Sequence, residues 1–233
     1  MKKILITGIL VFGSLAGFSQ ASNDQYDIYS RTIDINQKSL AFGLTEAEFD
    51  AIKDEAYANT SFIDGNIYQE DQLIKSGVPM RYNAFADEIE IKKSPTDANY
   101  GALIKDPEIF VKMGRDLYLF IPFEGSKEKG GYFNVLSDGK TYDLYKKTTA
   151  TFQEGRKAAS TYARDVPPSF NKHVTYYLVE DGRFLQMPNT KSRILKMMDS
   201  KKSEIKSYIK DNKLDIDKEG DLIQVVAYFD SLL

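Results

Sequence analysis

The sequence predicts an α+β fold: an antiparallel, meander-like sheet of roughly six to nine strands, one helix near the front, and a helical C-terminal segment. Three observations predict it. Apolar alternation broken by turn signals fills residues 60–188, a capping box stands at Thr45, and the apolar spacing turns helical after Asn189. Strands gathered in the middle and helices at the end argue against an alternating α/β chain.

The N-terminus is read first as an address. Met1-Lys2-Lys3 is followed by an apolar run to Phe12 and by small residues up to Ala21. A basic start, a short apolar middle and a small-residue end make a secretory signal peptide over residues 1–21, with cleavage after Ser19 or Ala21. An uncleaved anchor needs about 20 mostly apolar residues, and here the apolar density falls away at Gly13. The chain has no cysteine, so neither a lipoprotein anchor nor a disulfide framework is available. The expectation is an exported protein of the periplasm, outer envelope surface or medium, with no transmembrane helix after processing.

The processed chain divides into a β-rich region, 22–188, and C-terminal helices, 189–233, packed on the same domain. Residues 26–35 alternate enough to be a first strand. Thr45 and Glu48 then form the capping box, and Phe49, Ile52 and Ala56 follow at helical spacing. Three Asp-Gly pairs, Asp64-Gly65, Asp138-Gly139 and Asp181-Gly182, sit between apolar runs. Two-residue Asp-Gly turns fix register. They set Phe133 opposite Leu144 and Val135 opposite Tyr142, and likewise Val179 opposite Phe184 and Leu178 opposite Leu185.

A further hairpin over residues 78–91, with Ala84 to Asp87 as its loop, pairs Met80 with Ile91 and Tyr82 with Ile89 on an apolar face. Arg81 then faces Glu90 and Asn83 faces Glu88 on the other side, read as solvent-facing. An exposed pair of that kind predicts a cost under about 1 kcal/mol for Arg81→Ala. Residues 117–123 are apolar on both faces and read as an interior strand with Pro122 at its end, whereas residues 124–131 read as a polar loop. In the tail, Ile194, Leu195 and Met198, then Ile205, Tyr208 and Ile209, then Leu222, Val225, Val226 and Phe229 mark three amphipathic helices.

Charge narrows the function classes. The formal charge is −3, and −5 once Lys2 and Lys3 are removed, which disfavours nucleic acid as a partner. Residues 191–213 run the other way, with eight basic and three acidic side chains. Within it, Lys202, Lys206 and Lys210 are candidates for contact with an anionic surface, against the plainer reading of a solvated helix face. The other candidate binding residues are Arg81, Asn83, Glu88 and Glu90, which an envelope component or protein partner would contact. The chain has 15 Tyr, 14 Phe and no Trp, and lack of Trp weighs against a sugar-stacking platform.

No catalytic residues, metal ligands or cofactor emerge from the sequence. His173 is the single histidine and stands beside no nucleophile motif, and one His with no Cys leaves no zinc set. Residues 215–221 resemble the first half of an EF-hand loop, but position 12 is Val226 instead of Glu; acids opening the last helix, one of them its N-cap, explain them better.

Residues 77–83 (GVPMRYN) with 87–90 (DEIE), the Phe18-Ser19-Gln20 end of the signal, and residues 131–136 (GYFNVL) with 138–140 (DGK) resemble exported proteins of Bacteroidetes. That resemblance implies an envelope or secreted location in a diderm bacterium and carries no activity. The expected function is a non-enzymatic binding or structural module. The alternative is an exported hydrolase working without Cys or metal, which would need a deep pocket of converging titratable groups.

Overall fold

A computed structural model of the chain describes residues 28–33, 41–123, 126–160 and 162–233. Residues 1–21, read as a signal peptide, and the ends of the expected first strand at 26–27 and 34–35 lie outside the described residues. In chain order the strands are β1 (Tyr29–Ile33), β2 (Ile63–Gln69), β3 (Gln72–Asn83), β4 (Glu88–Ile91), β5 (Tyr100–Leu103), β6 (Ile109–Met113), β7 (Asp116–Phe123), β8 (Ser126–Ser137), β9 (Asp143–Gln153), β10 (Ser169–Glu180) and β11 (Arg183–Gln186). The α-helices are α1 (Glu46–Ile52), α2 (Lys191–Met197), α3 (Lys202–Asp211) and α4 (Glu219–Ser231). Among the described residues the strands form one 11-stranded antiparallel sheet, ordered β1-β5-β4-β3-β2-β6-β7-β8-β9-β10-β11.

The class is the expected one, and the strand number exceeds the expectation because two turns were not read from the sequence. Glu70 and Asp71 turn the chain between β2 and β3, with Glu70 at φ 51°, although neither residue is a strong turn signal. Gly114-Arg115 divides β6 from β7, pairing Met113 with Asp116. Residues 126–131, read as loop, instead extend β8, with Gly130 opposite Pro122 and Gly131 opposite Ile121.

The sheet is strongly curled. β5 and β6 are four ladder positions apart, about 19 Å in a flat sheet at ~4.8 Å per strand. Ile104 to Glu108 connects them, a link that would have to be almost fully extended to span that distance. It is not extended, since Ile109 N–H turns back to the Asp106 carbonyl. Curling brings the ends together instead. Tyr132 Oη on β8 donates to the Ile104 carbonyl at 3.3 Å, and Ala150 N–H on β9 donates to the Ala84 carbonyl of the β3–β4 loop at 3.0 Å. Inside the curl lies the first core, including Ile67, Met80, Tyr82, Ile89, Ile91, Val111, Phe120 and Tyr132.

A second core joins the other end of the sheet to the tail. Leu144 of β9, Leu178 of β10 and Met187 pack with Ile194, Leu195 and Met198, with Ile205 and Ile209, and with Leu222, Val225, Val226 and Phe229. These are the apolar stripes read from the helical spacing. Lys146 holds Glu219 at 2.9 Å, and Tyr176 Oη donates to the same carboxylate at 3.0 Å, so the start of α4 is pinned to β9 and β10. Burial, then the Glu219 charge, pushes the Tyr176 hydroxyl up to about 12. At the front, Thr45 caps α1 with the expected capping box, and a 3-10 turn, Lys53–Ala56, carries the segment on.

Two Asp-Gly readings are corrected. Asp64-Gly65 is not a turn but lies within β2, where Gly65 pairs with Val78 on one side and Met113 on the other. A Cβ there would stand 2.6 Å from the Lys112 carbonyl and 2.8 Å from Met80 Sδ, so glycine serves a close backbone approach. Asp138-Gly139 lies in a connection, but not a two-residue one. Ser137 pairs with Leu144 and Val135 with Tyr145, so Phe133 is not opposite Leu144. The cause is Asp230 on α4, whose carboxylate accepts the N–H groups of Lys140, Thr141 and Tyr142 at 2.7, 2.8 and 2.8 Å and holds a longer loop open. The Asp181-Gly182 hairpin has the expected register, with both residues at positive φ.

Candidate functional site

The β3–β4 hairpin has the register read from its sequence: Met80 with Ile91, Arg81 with Glu90, Tyr82 with Ile89, and Asn83 with Glu88. Its second face, however, is not solvent-facing. The segment after α1 folds over it, with Tyr57 bridged to Asn83 and Ala58 N–H bonded to the Tyr82 carbonyl. Phe62 and Tyr100 close the remaining side, 4.4 and 5.1 Å from the Arg81 guanidinium carbon. Glu90 is consequently 0% exposed. Alternation alone could not show this, because both faces of these strands are covered.

Three side chains meet at Glu90. Arg81 donates from Nε and Nη2 to Oε2, each at 2.8 Å. Asn83 Nδ2 and Tyr57 Oη donate to Oε1 at 2.9 and 3.3 Å. Arg81 also donates to Tyr57 Oη at 2.9 Å and lies over its ring at 3.8 Å. Burial, with the Glu90 charge beside it, raises the Tyr57 hydroxyl far above its ordinary range. Asn83 has a second task, since its Oδ1 accepts the N–H groups of Phe85 and Ala86 and shapes the loop. Glu88, the fourth candidate here, is held by Arg31 at 2.7 Å.

A cleft of about 400 Å³ opens above this group. Its floor is Asn83, Glu88 and Glu90, and its walls include Phe42, Phe49, Phe85 and Phe170. The rings touch one another, with Phe42 centroids 5.7, 5.3 and 5.3 Å from those of Phe49, Phe85 and Phe170. Chemically the arrangement fixes a carboxylate, a guanidinium and a phenol in one charge-assisted network. It leaves Glu90 engaged at both oxygens.

The three lysines read as a surface lie on α3 at i, i+4 and i+8. Lys202 makes an exposed pair with Asp199 at 3.3 Å. Lys206 and Lys210 are exposed and, like Lys191, Arg193, Lys196 and Lys213, have no carboxylate partner among the described residues. Ile205 and Ile209 turn the opposite face of α3 into the core.

The remaining sequence candidates fall elsewhere. His173 is exposed on β10 opposite Thr149. Among the described residues no three acidic or histidine side chains gather as metal ligands. In residues 215–221 the acids bond backbone, Asp221 accepting Asp215 N–H and Asp215 accepting Asp217 N–H. Lys218, not an acid, stands at the N-cap of α4, with Glu219 and Asp221 in the first turn. No described helix is long and apolar enough to cross a membrane.

One constellation escaped the sequence reading. Lys147 of β9 reaches Asp87 of the β3–β4 loop at 2.7 Å, beneath a second concavity that carries Phe133, Tyr177 and Phe184. One signal pointed to it, the adjacent Gly130-Gly131, which the loop reading obscured.

No protein-family model, curated protein or solved structure matches the chain.

Proposed function

We propose that this chain is an exported, non-enzymatic binding module of the cell envelope that docks on an anionic lipid surface through α2 and α3. The observation that carries the reading is the uncompensated basic face: Lys206 and Lys210, with the other free cations of residues 191–213, stand exposed on helices whose opposite stripes are buried. Residues 191–213 hold a balance of +5 and the rest of the processed chain −10. A separation of that size turns the molecule in an external field so that the helices meet a negative surface first. The alternative hydrolase finds less support, because the carboxylate under the best-walled cleft is fully engaged by Arg81, Asn83 and Tyr57.

Co-sedimentation with vesicles of phosphatidylglycerol and phosphatidylcholine tests the reading. Each lysine near such a surface contributes roughly 1 kcal/mol. Reversing Lys202, Lys206 and Lys210 to Glu should therefore weaken binding by about 100-fold or more, and salt should weaken the wild type. Equal binding by wild type and triple variant, or none by either, would overturn it.

A further inference from the structure

On the outer face of β8–β11, Phe133, Tyr177 and Phe184 form a three-ring group, with centroids 5.7, 5.0 and 5.9 Å apart for Phe133–Tyr177, Phe133–Phe184 and Tyr177–Phe184. The rings are half-buried and line a groove of about 560 Å³, within the size range of small-molecule sites. The groove is mostly apolar, yet its floor is an ion pair. Lys147 and Asp87 side chains are 13% and 25% exposed and sit 2.7 Å apart.

The surrounding backbone keeps that pair open to the groove. β8 crosses it as Gly130-Gly131, and a Cβ on Gly131 would collide with Lys147 Nζ and stand 2.6 Å from Asp87 Oδ2. The donor and acceptor balance is specific. Lys147 gives one N–H to Asp87 and one to the Tyr132 carbonyl at 2.9 Å, which leaves the third. Asp87 Oδ1 is taken by Tyr82 Oη at 2.6 Å and Tyr132 N–H at 3.1 Å, while among the described residues Oδ2 meets Lys147 alone. The floor thus offers one donor and one acceptor side by side. Burial pulls the Lys147 ammonium below its ordinary value, and the Asp87 charge offsets part of that.

We infer that this groove binds a neutral carbohydrate ring, stacked on Phe133, Tyr177 and Phe184 with a hydroxyl bridging Lys147 and Asp87. A hydroxyl both donates and accepts, as the floor demands. A ligand carboxylate would be drawn by Lys147 and repelled by Asp87, and a ligand cation the reverse, so the paired charges disfavour both. The C–H groups of a sugar ring carry partial positive charge and meet the negative faces of the aromatic rings. The absence of Trp, which weighed against sugar stacking in the sequence, is met here by three smaller rings acting together.

Isothermal titration of the full chain with maltose, cellobiose and N,N′-diacetylchitobiose, with octanoate as the charged comparison, tests the inference. At least one disaccharide should bind with the same Kd at low and high salt. Phe184→Ala should weaken it at least tenfold with the circular dichroism spectrum unchanged. Should Phe184→Ala disturb the fold, Phe184→Leu keeps the bulk while removing the ring face, and should weaken binding similarly. Binding by none of the three, binding that survives loss of the Phe184 ring, or a preference for octanoate would overturn the proposal.

Discussion

Glu90 has no exposed surface, and its charge is tolerable only because Arg81, Asn83 and Tyr57 direct donors at both oxygens. Removing one member of a buried pair costs far more than losing a surface contact, because the partner stays behind desolvated. Arg81→Ala should therefore destabilise the chain by about 3–5 kcal/mol, in place of the small loss expected of an exposed pair. Urea denaturation measures it, and a loss below about 1 kcal/mol would return the pair to the surface class. Asp230 is the second decisive residue. It lies near the surface but is covered by the loop it organises. Burial alone would raise its carboxyl, yet the N–H groups of Lys140, Tyr142 and Thr141 and the Lys140 charge outweigh that and hold it below the ordinary range. A carboxyl with a lowered folded-state pKa gives its full stabilisation above its unfolded value, about 3.9. That contribution is lost as the pH falls from there through the folded value. Acid titration followed by circular dichroism should show Asp230→Asn losing less stability than wild type on going from pH 6 to about pH 3; equal losses would remove Asp230 from the acid response.

Elements were legible wherever local chemistry alone decides them. The β10–β11 turn needs only Asp181 and Gly182 at positive φ, and β3–β4 register follows because one pairing alone unites Met80, Tyr82, Ile89 and Ile91. The capping box and the three amphipathic helices depend on nothing distant. The two misread Asp-Gly pairs answer to a remote partner. The same Asp-Gly letters become a strand interior at Gly65, where Lys112 and Met80 press close, and an open loop at Asp138-Gly139, where Asp230 collects the backbone N–H groups. The groove over Lys147 belongs to this group too, since Asp87, Gly131 and Phe184 come together only when the sheet curls. These two glycine roles separate experimentally. Gly65→Ala introduces a Cβ against backbone and should cost about 2 kcal/mol or more, in the upper part of the overpacking range. Gly182 has φ 74° and open space around its missing Cβ, so Gly182→Ala should cost only about 1 kcal/mol, from conformation alone. Thermal melts of the two variants give the comparison, and a larger loss at Gly182 would contradict the close approach at Gly65.

At the scale of the whole molecule the question is whether the curled core and the helix-backed core unfold together. β8 and β9 run through both. Tyr132 of β8 and Ala150 of β9 lie in the curl, while Leu136 of β8 and Leu144 of β9 lie against the helices. Asp230 adds a tie from α4 to the β8–β9 loop, and Glu219 another to β9 and β10. A strand cannot melt at one end without loosening its ladder at the other, so the two cores should share a single cooperative transition. Arg81, on the strand that gives Met80 and Tyr82 to the first core, and Asp230, on the helix that gives Val226 and Phe229 to the second, share no hydrogen-bond partner among the described residues. In one cooperative unit, independent losses at such sites add. Arg81→Ala and Asp230→Ala, the latter costing about 2 kcal/mol for lost charge-assisted hydrogen bonds, should combine in the double variant to within about 0.5 kcal/mol of their sum. Urea curves followed by far-ultraviolet circular dichroism and by tyrosine fluorescence should coincide for wild type and all three variants. Two separated transitions, with Asp230→Ala shifting only one of them, would show the C-terminal helices and their strands to be a unit that unfolds by itself.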